Sequence, residues 1–241
     1  MTSIILVRHG QTEWNRVERF RGRADVPLNE TGRAQAELTG WRIAAEWRPM
    51  AVYSSPLSRA VKTAEVIAGH FDLPVQVHPD LTDINYGKWQ GLTPDEVREQ
   101  WPKMINDWYN KPASTRIPGG EMLEELRSRA LGAIDELLKR HDGQTIVVIG
   151  HTVINRIILI GVLGLGNDRF WRLRQDTCAI NSFEAEGGDF TLVSLNDTFH
   201  LRAEMHHHHS PLMGGTHSEN TIRFLLLWSD RNFRESVARN P

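Results

Sequence analysis

The sequence predicts an α/β protein: a three-layer αβα sandwich with a mainly parallel sheet and one antiparallel strand. Two apolar runs, residues 4–7 and residues 146–149 of the strand predicted at 145–149, are typical of strands buried on both faces, as parallel strands usually are. Segments with helical periodicity alternate with these and with shorter strand signals, which favours a sheet covered by helices on both faces. Two glycines at residues 187–188 separate two extended segments and predict a hairpin.

The composition is that of an ordinary globular protein and argues against several classes of partner. The chain has 241 residues, of which 40% are hydrophobic and 24% charged, and its formal net charge is -2. That balance gives no electrostatic reason to expect nucleic acid or a membrane as a partner. No signal peptide or bilayer-spanning run is evident, and the single cysteine, Cys178, fits a reducing compartment. We therefore expect a cytoplasmic protein, whose oligomeric state the sequence does not indicate.

A polar stretch punctuated by glycine and proline follows the first strand and predicts a loop over residues 13–28. Thr31 is then expected to cap a helix over residues 32–46. The apolar side chains along one face of that helix are Ala34, Leu38, Trp41 and Ala45. The chain is thus expected to pass from the first strand through a long loop into its first long helix.

A second strand and helix are expected to begin at residue 51. The strand covers residues 51–53, and the serines and proline at 54–56 break it and predict the start of a helix. This helix is expected to extend to Gly69 and to carry Arg59 near its start. Residues 75–77 predict a third strand.

The second half of the chain predicts longer helices. Residues 81–91 contain two glycines and no helical period, and they are interpreted as an ordered loop. Residues 93–110 are expected to be helical, and a long amphipathic helix is expected after Glu121. The apolar positions of the latter are Leu123, Leu126, Ala130, Ile134 and Leu137. The second apolar strand precedes a helix to Leu163, and the hairpin comes last. Its strands are 179–185 and 190–195.

Basic side chains follow the predicted strands at the points where chemistry is expected. Arg8 and His9 come directly after the first strand, His151 follows the strand at 145–149, and Arg59 lies in the first turn of a helix. Because the carboxyl ends of parallel strands meet at one edge of a sheet, these side chains are expected to surround one small anion. Planar guanidinium groups match the oxygens of a phosphate, and one histidine could then act as the nucleophile.

The motifs around these residues resemble those of the histidine phosphatase superfamily, the phosphoglycerate mutase-like proteins. The nucleophile motif of that superfamily is similar to residues 7–15, VRHGQTEWN. Further similar stretches follow in the family's order at residues 20–28, 54–64, 86–91, 119–121, 150–151 and 195–198. The resemblance covers nearly all of residues 3–201. We therefore expect a histidine phosphatase domain over 1–201 and a tail without assigned function over 202–241.

The resemblance implies a phosphomonoesterase that acts on a small phosphate ester through a phosphohistidine intermediate. His9 matches the nucleophile, which splits one difficult displacement into two easier steps. Arg8, Arg59 and His151 match the residues that hold the phosphoryl oxygens. Further substrate contacts are implied for Asn15, Arg21 and Gly22, although many relatives have glutamine at position 21. No metal and no cofactor is implied, because the arginines supply the positive charge.

Asp83 departs from the family pattern. It stands where relatives usually have a glutamate that protonates the leaving oxygen and then activates water. Because aspartate is one methylene shorter, its reach requires a shifted loop or an intervening water. Asp83 is favoured as the acid over Glu121, the nearest alternative carboxylate among the motifs.

Three functions remain compatible with the sequence. The first is a phosphomonoesterase similar to α-ribazole phosphatase or to a broad-specificity sugar-phosphate phosphatase. The second is a cofactor-dependent phosphoglycerate mutase, and the third is a non-catalytic protein that binds a phosphorylated ligand. The segment of residues 92–118 is shorter than the corresponding segment of similar mutases, which carry an insertion there. The shorter segment favours hydrolysis. Three aromatic residues of this segment are expected either to contact an organic leaving group or to form core: Trp101, Trp108 and Tyr109.

Overall fold

One six-stranded sheet organises the fold that the computed structural model describes for residues 1–202. In chain order its strands are β1 (Thr2–Arg8), β2 (Ala51–Ser54), β3 (Val75–Val77), β4 (Thr145–Gly150), β5 (Ile180–Glu186) and β6 (Asp189–Asp197). Their order across the sheet is β3-β2-β4-β1-β5-β6. Strands β1 to β4 are parallel, β5 is antiparallel to β1, and β6 pairs antiparallel with β5 through the predicted hairpin. The predicted fold class is confirmed. The tail predicted for 202–241 lies outside the described residues, apart from Arg202.

The two faces of the sheet explain why β1 shows no polar interruption. Ile4 and Leu6 belong to the core on one face, whereas Ile5 and Val7 belong to the core on the other. All four side chains are fully buried. Since successive side chains of a strand point to opposite faces, a strand covered on both sides needs apolar residues at every position.

Helices cover both faces of the sheet. In chain order they are α1 (Glu13–Arg16), α2 (Glu30–Glu46), α3 (Ser58–Gly69), α4 (Pro94–Gln100), α5 (Pro102–Asn110), α6 (Leu123–Arg140) and α7 (Thr152–Val162). Helices α2 and α3 contribute to the core that contains Ile5, and α6 and α7 contribute to the core that contains Ile4. None of the helices within residues 1–202 has the length and apolar character to cross a bilayer.

Residues 93–110 are helical as predicted, but the segment is divided into α4 and α5. The break falls at Trp101, whose φ of -136° and ψ of 61° are not helical. The cause is Pro102, since proline disfavours the helical conformation in the residue before it. The pyrrolidine nitrogen then occupies the first position of α5, where a missing N–H costs little.

The predicted start and buried face of α2 also need correction. Asn29, not Thr31, caps the helix: its side chain accepts a hydrogen bond from the amide of Gly32 at 2.8 Å. Trp41, assigned to the apolar face, is 53% exposed. The buried positions are small or medium-sized: Gly32, Ala36, Thr39, Gly40 and Ile43. Small residues let α2 approach its neighbours closely. Its buried face therefore lacks the large apolar side chains from which a buried face is predicted.

Candidate active site

The carboxyl ends of β1 and β4 bring four basic side chains together at one edge of the sheet. Arg8 is the last residue of β1 and His9 follows it, His151 directly follows β4, and Arg59 is the second residue of α3. All four are buried, with exposures of 7% or less. We call these four residues the buried base of the site.

The orientation of His9 leaves one ring nitrogen available as a nucleophile. Its Nδ1 lies 2.6 Å from the carbonyl oxygen of Gly10. Because a carbonyl only accepts hydrogen bonds, Nδ1 carries the hydrogen and the lone pair stays on Nε2. Gly10 is required here by close packing, since a Cβ would lie 2.3 Å from the carbonyl oxygen of Gly32. The glycine of the motif thus allows the loop that orients His9 to pack against the start of α2.

Arg59 is held by three hydrogen bonds, one of which fixes the tautomer of His151. Its Nε donates to Nδ1 of His151 at 3.2 Å, and its Nη1 and Nη2 donate to the carbonyl oxygens of Ala24 and Gly22 at 2.6 and 2.8 Å. His151 therefore carries its hydrogen on Nε2, which donates to Oγ of Ser55 at 2.7 Å.

The two histidines of the base are kept neutral. Their ring centroids are 5.0 Å apart. Burial, followed by the positive charge of Arg59, lowers the pKa of His9 and of His151 well below the ordinary value of 6.5. An unprotonated His9 retains the lone pair that a nucleophile needs at neutral pH.

Arg8 contributes a positive charge with an unused donor. Its Nη1 donates to the carbonyl oxygen of Gln175 at 2.6 Å, while its buried Nε has no partner among the described residues. Burial, and next the charge of Arg21, lower the pKa of Arg8 to about 9. Arg8 therefore stays charged at neutral pH, and an anion would relieve the cost of burying that charge.

A cleft with a volume of about 500 Å³ lies over this edge of the sheet. Five of the predicted site residues line it: Arg8, Asn15, Arg21, Gly22 and Asp83. The remaining three, His9, Arg59 and His151, are not among its lining residues and belong to the base. A larger cavity of about 660 Å³ lies at the opposite edge, beside the start of β1, and none of the predicted site residues lines it.

The segment between β1 and α2, which includes α1, supplies three of these lining residues. The Oδ1 of Asn15 accepts from both the amide and the hydroxyl of Thr12, at 2.9 Å each, which leaves its Nδ2 as a donor. Arg21 donates from Nη1 to the carbonyl oxygen of Trp14 at 3.0 Å. Gly22 has a φ of 47°, and a Cβ there would lie 2.7 Å from the carbonyl oxygen of Ile84, so glycine is needed.

Asp83 is a buried carboxyl on the wall of the cleft. Its Oδ1 lies 3.4 Å from the amide of Ile154, in the first turn of α7. Burial raises the pKa of Asp83 above the ordinary value, although the charge of Arg59 opposes the rise. Arg129 positions the loop that carries Asp83, because it donates to the carbonyl oxygens of Thr82 and Asp83 at 2.6 and 3.1 Å.

Comparisons with known proteins decide the family. The model of the histidine phosphatase superfamily (branch 1) matches residues 4–198. The chain belongs to the histidine phosphatase superfamily. Phosphoserine phosphatase 1 of Hydrogenobacter thermophilus is 35% identical over 201 residues, which are 83% of this chain and 95% of that protein. The metal-independent phosphoserine phosphatase of Arabidopsis thaliana is 37% identical over 164 residues, 67% of this chain and 69% of that protein.

Solved structures give the same result. Bacillus stearothermophilus YhfR matches with a TM-score of 0.80 and 30% identity, over 83% of this chain and 100% of that one. A phosphoserine phosphatase of Entamoeba histolytica, in complex with 3-phosphoglyceric acid, matches with a TM-score of 0.76 and 27% identity over the same shares. This histidine phosphatase is therefore a phosphoric monoester hydrolase that acts on small phosphorylated metabolites, as predicted.

Glu121, the alternative acid of this histidine phosphatase, lies in an ion pair. Its Oε1 accepts from Nε of Arg129 at 2.7 Å, and its Oε2 accepts from the amide of Asn85 at 3.1 Å. Burial would raise the pKa of Glu121, but the hydrogen bond and charge of Arg129 outweigh it and lower the pKa overall. Glu121 does not line the cleft and is held in the charged form.

Several residues line the cleft that were not predicted from the sequence, above all Tyr86, Arg156 and Trp171. Arg156 is the one charged residue in α7, an otherwise apolar helix, and that contrast was the available signal. Of the aromatic residues left between leaving-group contact and core, Trp108 is fully buried in the core, whereas Tyr109 lines the cleft. We call Asp83, Tyr86, Tyr109, Arg156 and Trp171 the wall of the cleft.

Proposed function

We propose that this enzyme hydrolyses phosphomonoesters in two steps through a phosphohistidine at His9. The observation that carries the proposal is the hydrogen bond from Nδ1 of His9 to the Gly10 carbonyl oxygen, which leaves the lone pair on Nε2. The neutral state of the ring supports the same role, since burial lowers the pKa of His9. A neutral imidazole beside several guanidinium groups is suited to attack a phosphoryl group whose charge those groups offset.

In the first step, Nε2 of His9 attacks phosphorus and the bond from phosphorus to the ester oxygen breaks. Asp83 gives its proton to that oxygen and becomes a carboxylate. In the second step, the Asp83 carboxylate takes a proton from water while the water oxygen attacks phosphorus and the nitrogen–phosphorus bond breaks. Inorganic phosphate leaves, and both His9 and Asp83 return to their starting forms.

The other residues of the site hold the phosphoryl group in this proposal. Arg8 has an unused Nε and Asn15 an unused Nδ2, and both are donors that phosphoryl oxygens accept from. Arg59 contributes charge, and His151 contributes its Nε2 hydrogen, now donated to Ser55. Arg21 and the backbone at Gly22 are proposed to contact the substrate from the loop before α2.

Asp83 is proposed as the acid because its environment favours the protonated form. Burial raises the pKa of Asp83, whereas Arg129 lowers the pKa of Glu121. The pKa values of the two carboxyl groups are therefore shifted in opposite directions, as expected for an acid on the one hand and a structural carboxylate on the other. Asp83 also lines the cleft, and Glu121 does not.

The test is a panel of phosphomonoesters assayed for release of inorganic phosphate, with and without a phosphoglycerate acceptor. The panel includes phosphoserine, because two similar proteins are named phosphoserine phosphatases. We expect phosphate release that the acceptor does not suppress. Transfer to the acceptor at the expense of phosphate release would instead support a mutase. If no ester of the panel were cleaved, the proposal would be overturned.

The setting of this activity is part of the same proposal. A small phosphate ester is favoured over nucleic acid as the partner, because the formal net charge of the chain is -2. A cytoplasmic location is proposed from the single thiol, Cys178, which is buried and free.

A further inference from the structure

Arg156 is a charged side chain of the wall that the proposed chemistry does not use. It lies on α7, and its guanidinium carbon is 5.1 Å from the ring centroid of Phe170 and 5.0 Å from that of Trp171. The Trp171 ring is itself fixed, because its Nε1 donates to the carbonyl oxygen of Trp108 at 2.8 Å. The two aromatic rings thus hold the guanidinium in one place.

No carboxylate within residues 1–202 lies at ion-pair distance from this charge. Within residues 1–202, Arg156 forms no ion pair, and its buried Nε has no hydrogen-bond partner. Burial lowers the pKa of Arg156, and the charges that oppose this shift include Asp83 and Asp176. An arginine remains charged despite such a shift, so its hydrogen-bond donors are available to an anion in the cleft.

Arg156 belongs to the wall of the cleft and not to the base that contains the nucleophile. It lines the cleft together with Asp83, the proposed proton donor to the leaving oxygen. Its charge helps to lower the pKa of Arg8, whereas the charges that contribute most to the lowered pKa of His9 are Arg59, His151, Arg8 and Arg21. The base already provides donors for the phosphoryl oxygens, so a second anionic group of the substrate is the fitting partner for Arg156.

We propose that Arg156 binds a carboxylate of the leaving group and thereby selects phosphomonoesters of hydroxy acids. Phosphoserine belongs to this class, and phosphoethanolamine is the same molecule without the carboxylate. The edge of a planar guanidinium held by aromatic rings forms two parallel hydrogen bonds to a carboxylate, which gives geometric selectivity as well as affinity. This inference rests on the proposed function, because it assigns a substrate class to the same site.

The test compares kcat/KM for phosphoserine, phosphoethanolamine and p-nitrophenyl phosphate in the wild type and in Arg156→Met. We expect the wild type to prefer phosphoserine over phosphoethanolamine. Arg156→Met should lose about 100-fold on phosphoserine and less than about 3-fold on the two esters without a carboxylate, as typical for loss of a desolvated charge pair. Arg156→Lys should recover only part of the loss, since an ammonium cannot form the paired bonds.

Arg172→Met is the matched control, because Arg172 is an exposed arginine of the neighbouring segment and does not line the cleft. It should leave all three substrates unchanged. Equal losses on all three esters in Arg156→Met would overturn the inference and assign Arg156 to the phosphoryl group or to folding. A wild type that does not distinguish phosphoserine from phosphoethanolamine would overturn it without any variant.

A binding measurement separates this inference from the proposed function. His9→Ala removes the proposed nucleophile, so calorimetry with this variant measures the affinity for intact phosphoserine and phosphoethanolamine. Tighter binding of phosphoserine that disappears in His9→Ala/Arg156→Met supports the inference even if no ester is hydrolysed. Equal binding of both ligands contradicts it even if phosphate release is fast.

Discussion

The buried base and the wall of the cleft differ in how their side chains are held. In the base, Arg59 uses Nε, Nη1 and Nη2 in hydrogen bonds to protein atoms, and the tautomers of both histidines are fixed by partners. In the wall, Arg156 lies against two aromatic rings and forms no ion pair within residues 1–202, and Oδ1 of Asp83 lies 3.4 Å from the amide of Ile154.

This difference separates the chemistry at the phosphoryl group from the choice of substrate. A base whose donors are fixed before the substrate arrives needs little reorganisation during the reaction. In the wall, Arg156 still has a buried Nε without a partner among the described residues, and its guanidinium can gain partners from the leaving group. We therefore expect changes in the base to affect all phosphomonoesters alike, and changes in the wall to affect them according to the leaving group.

The largest effect is expected for His9→Ala, a change in the base. The variant should fold and should lose more than about 100-fold in kcat on every ester, because no other group replaces the nucleophile. Phosphate release measures the loss, and circular dichroism verifies the fold. A variant that retained more than about a hundredth of the rate would contradict covalent catalysis at His9.

Much of the base could be predicted from the sequence, because local features determine it. Arg8 and His9 follow an apolar run that predicts a strand buried on both faces. Gly10 permits the close packing that orients His9. The same holds for His151 after β4. Short segments that follow parallel buried strands converge at the carboxyl edge of the sheet, and this convergence does not depend on the rest of the chain.

The wall could not be predicted in the same way. Arg156 is positioned by contacts with Phe170 and Trp171, which lie in a different segment of the chain. Nothing in the sequence of α7 indicates those contacts. The start of α2 shows the same limit at a smaller scale: Asn29 and Thr31 are both good caps, and tertiary packing of Gly32 selects between them.

Asp83→Ala should have the next largest effect, and it should depend on the leaving group. Alkyl esters such as phosphoserine should lose about 100-fold or more, because an alkoxide is a poor leaving group without a proton. The aryl ester p-nitrophenyl phosphate should lose much less, since its leaving group hardly needs protonation. Parallel kcat measurements on both esters test this, and equal losses would move the acid role to another residue.

The pH dependence of the wild type should show the same contrast. Burial raises the pKa of Asp83, so its protonated fraction falls only as the pH rises through that raised value. Alkyl-ester hydrolysis should therefore be fastest at mildly acidic pH and should decline by up to roughly tenfold per pH unit above the pKa. His9 stays neutral there because its pKa is lowered. Asp83→Ala should flatten the profile, and an unchanged profile in that variant would exclude Asp83 as its origin.

The smallest effect on catalysis is expected for Glu121→Gln. The variant loses a largely buried ion pair with Arg129 and should destabilise the fold by about 2 kcal/mol, measured by urea unfolding. Its activity on alkyl and aryl esters should stay within about 3-fold of the wild type. Asp135→Asn is the control, since its ion pair with Lys139 is exposed and contributes little. A loss confined to alkyl esters in Glu121→Gln would make Glu121 the acid.

The most direct test of the central claim is to trap the phosphoenzyme. The wild type is mixed briefly with p-nitrophenyl phosphate that carries a radiolabelled phosphoryl group, stopped in alkali and digested, and the labelled peptide is sequenced. The account predicts acid-labile, base-stable label on His9 and none in His9→Ala. Turnover without any trapped label, or label on His151 instead, would contradict it.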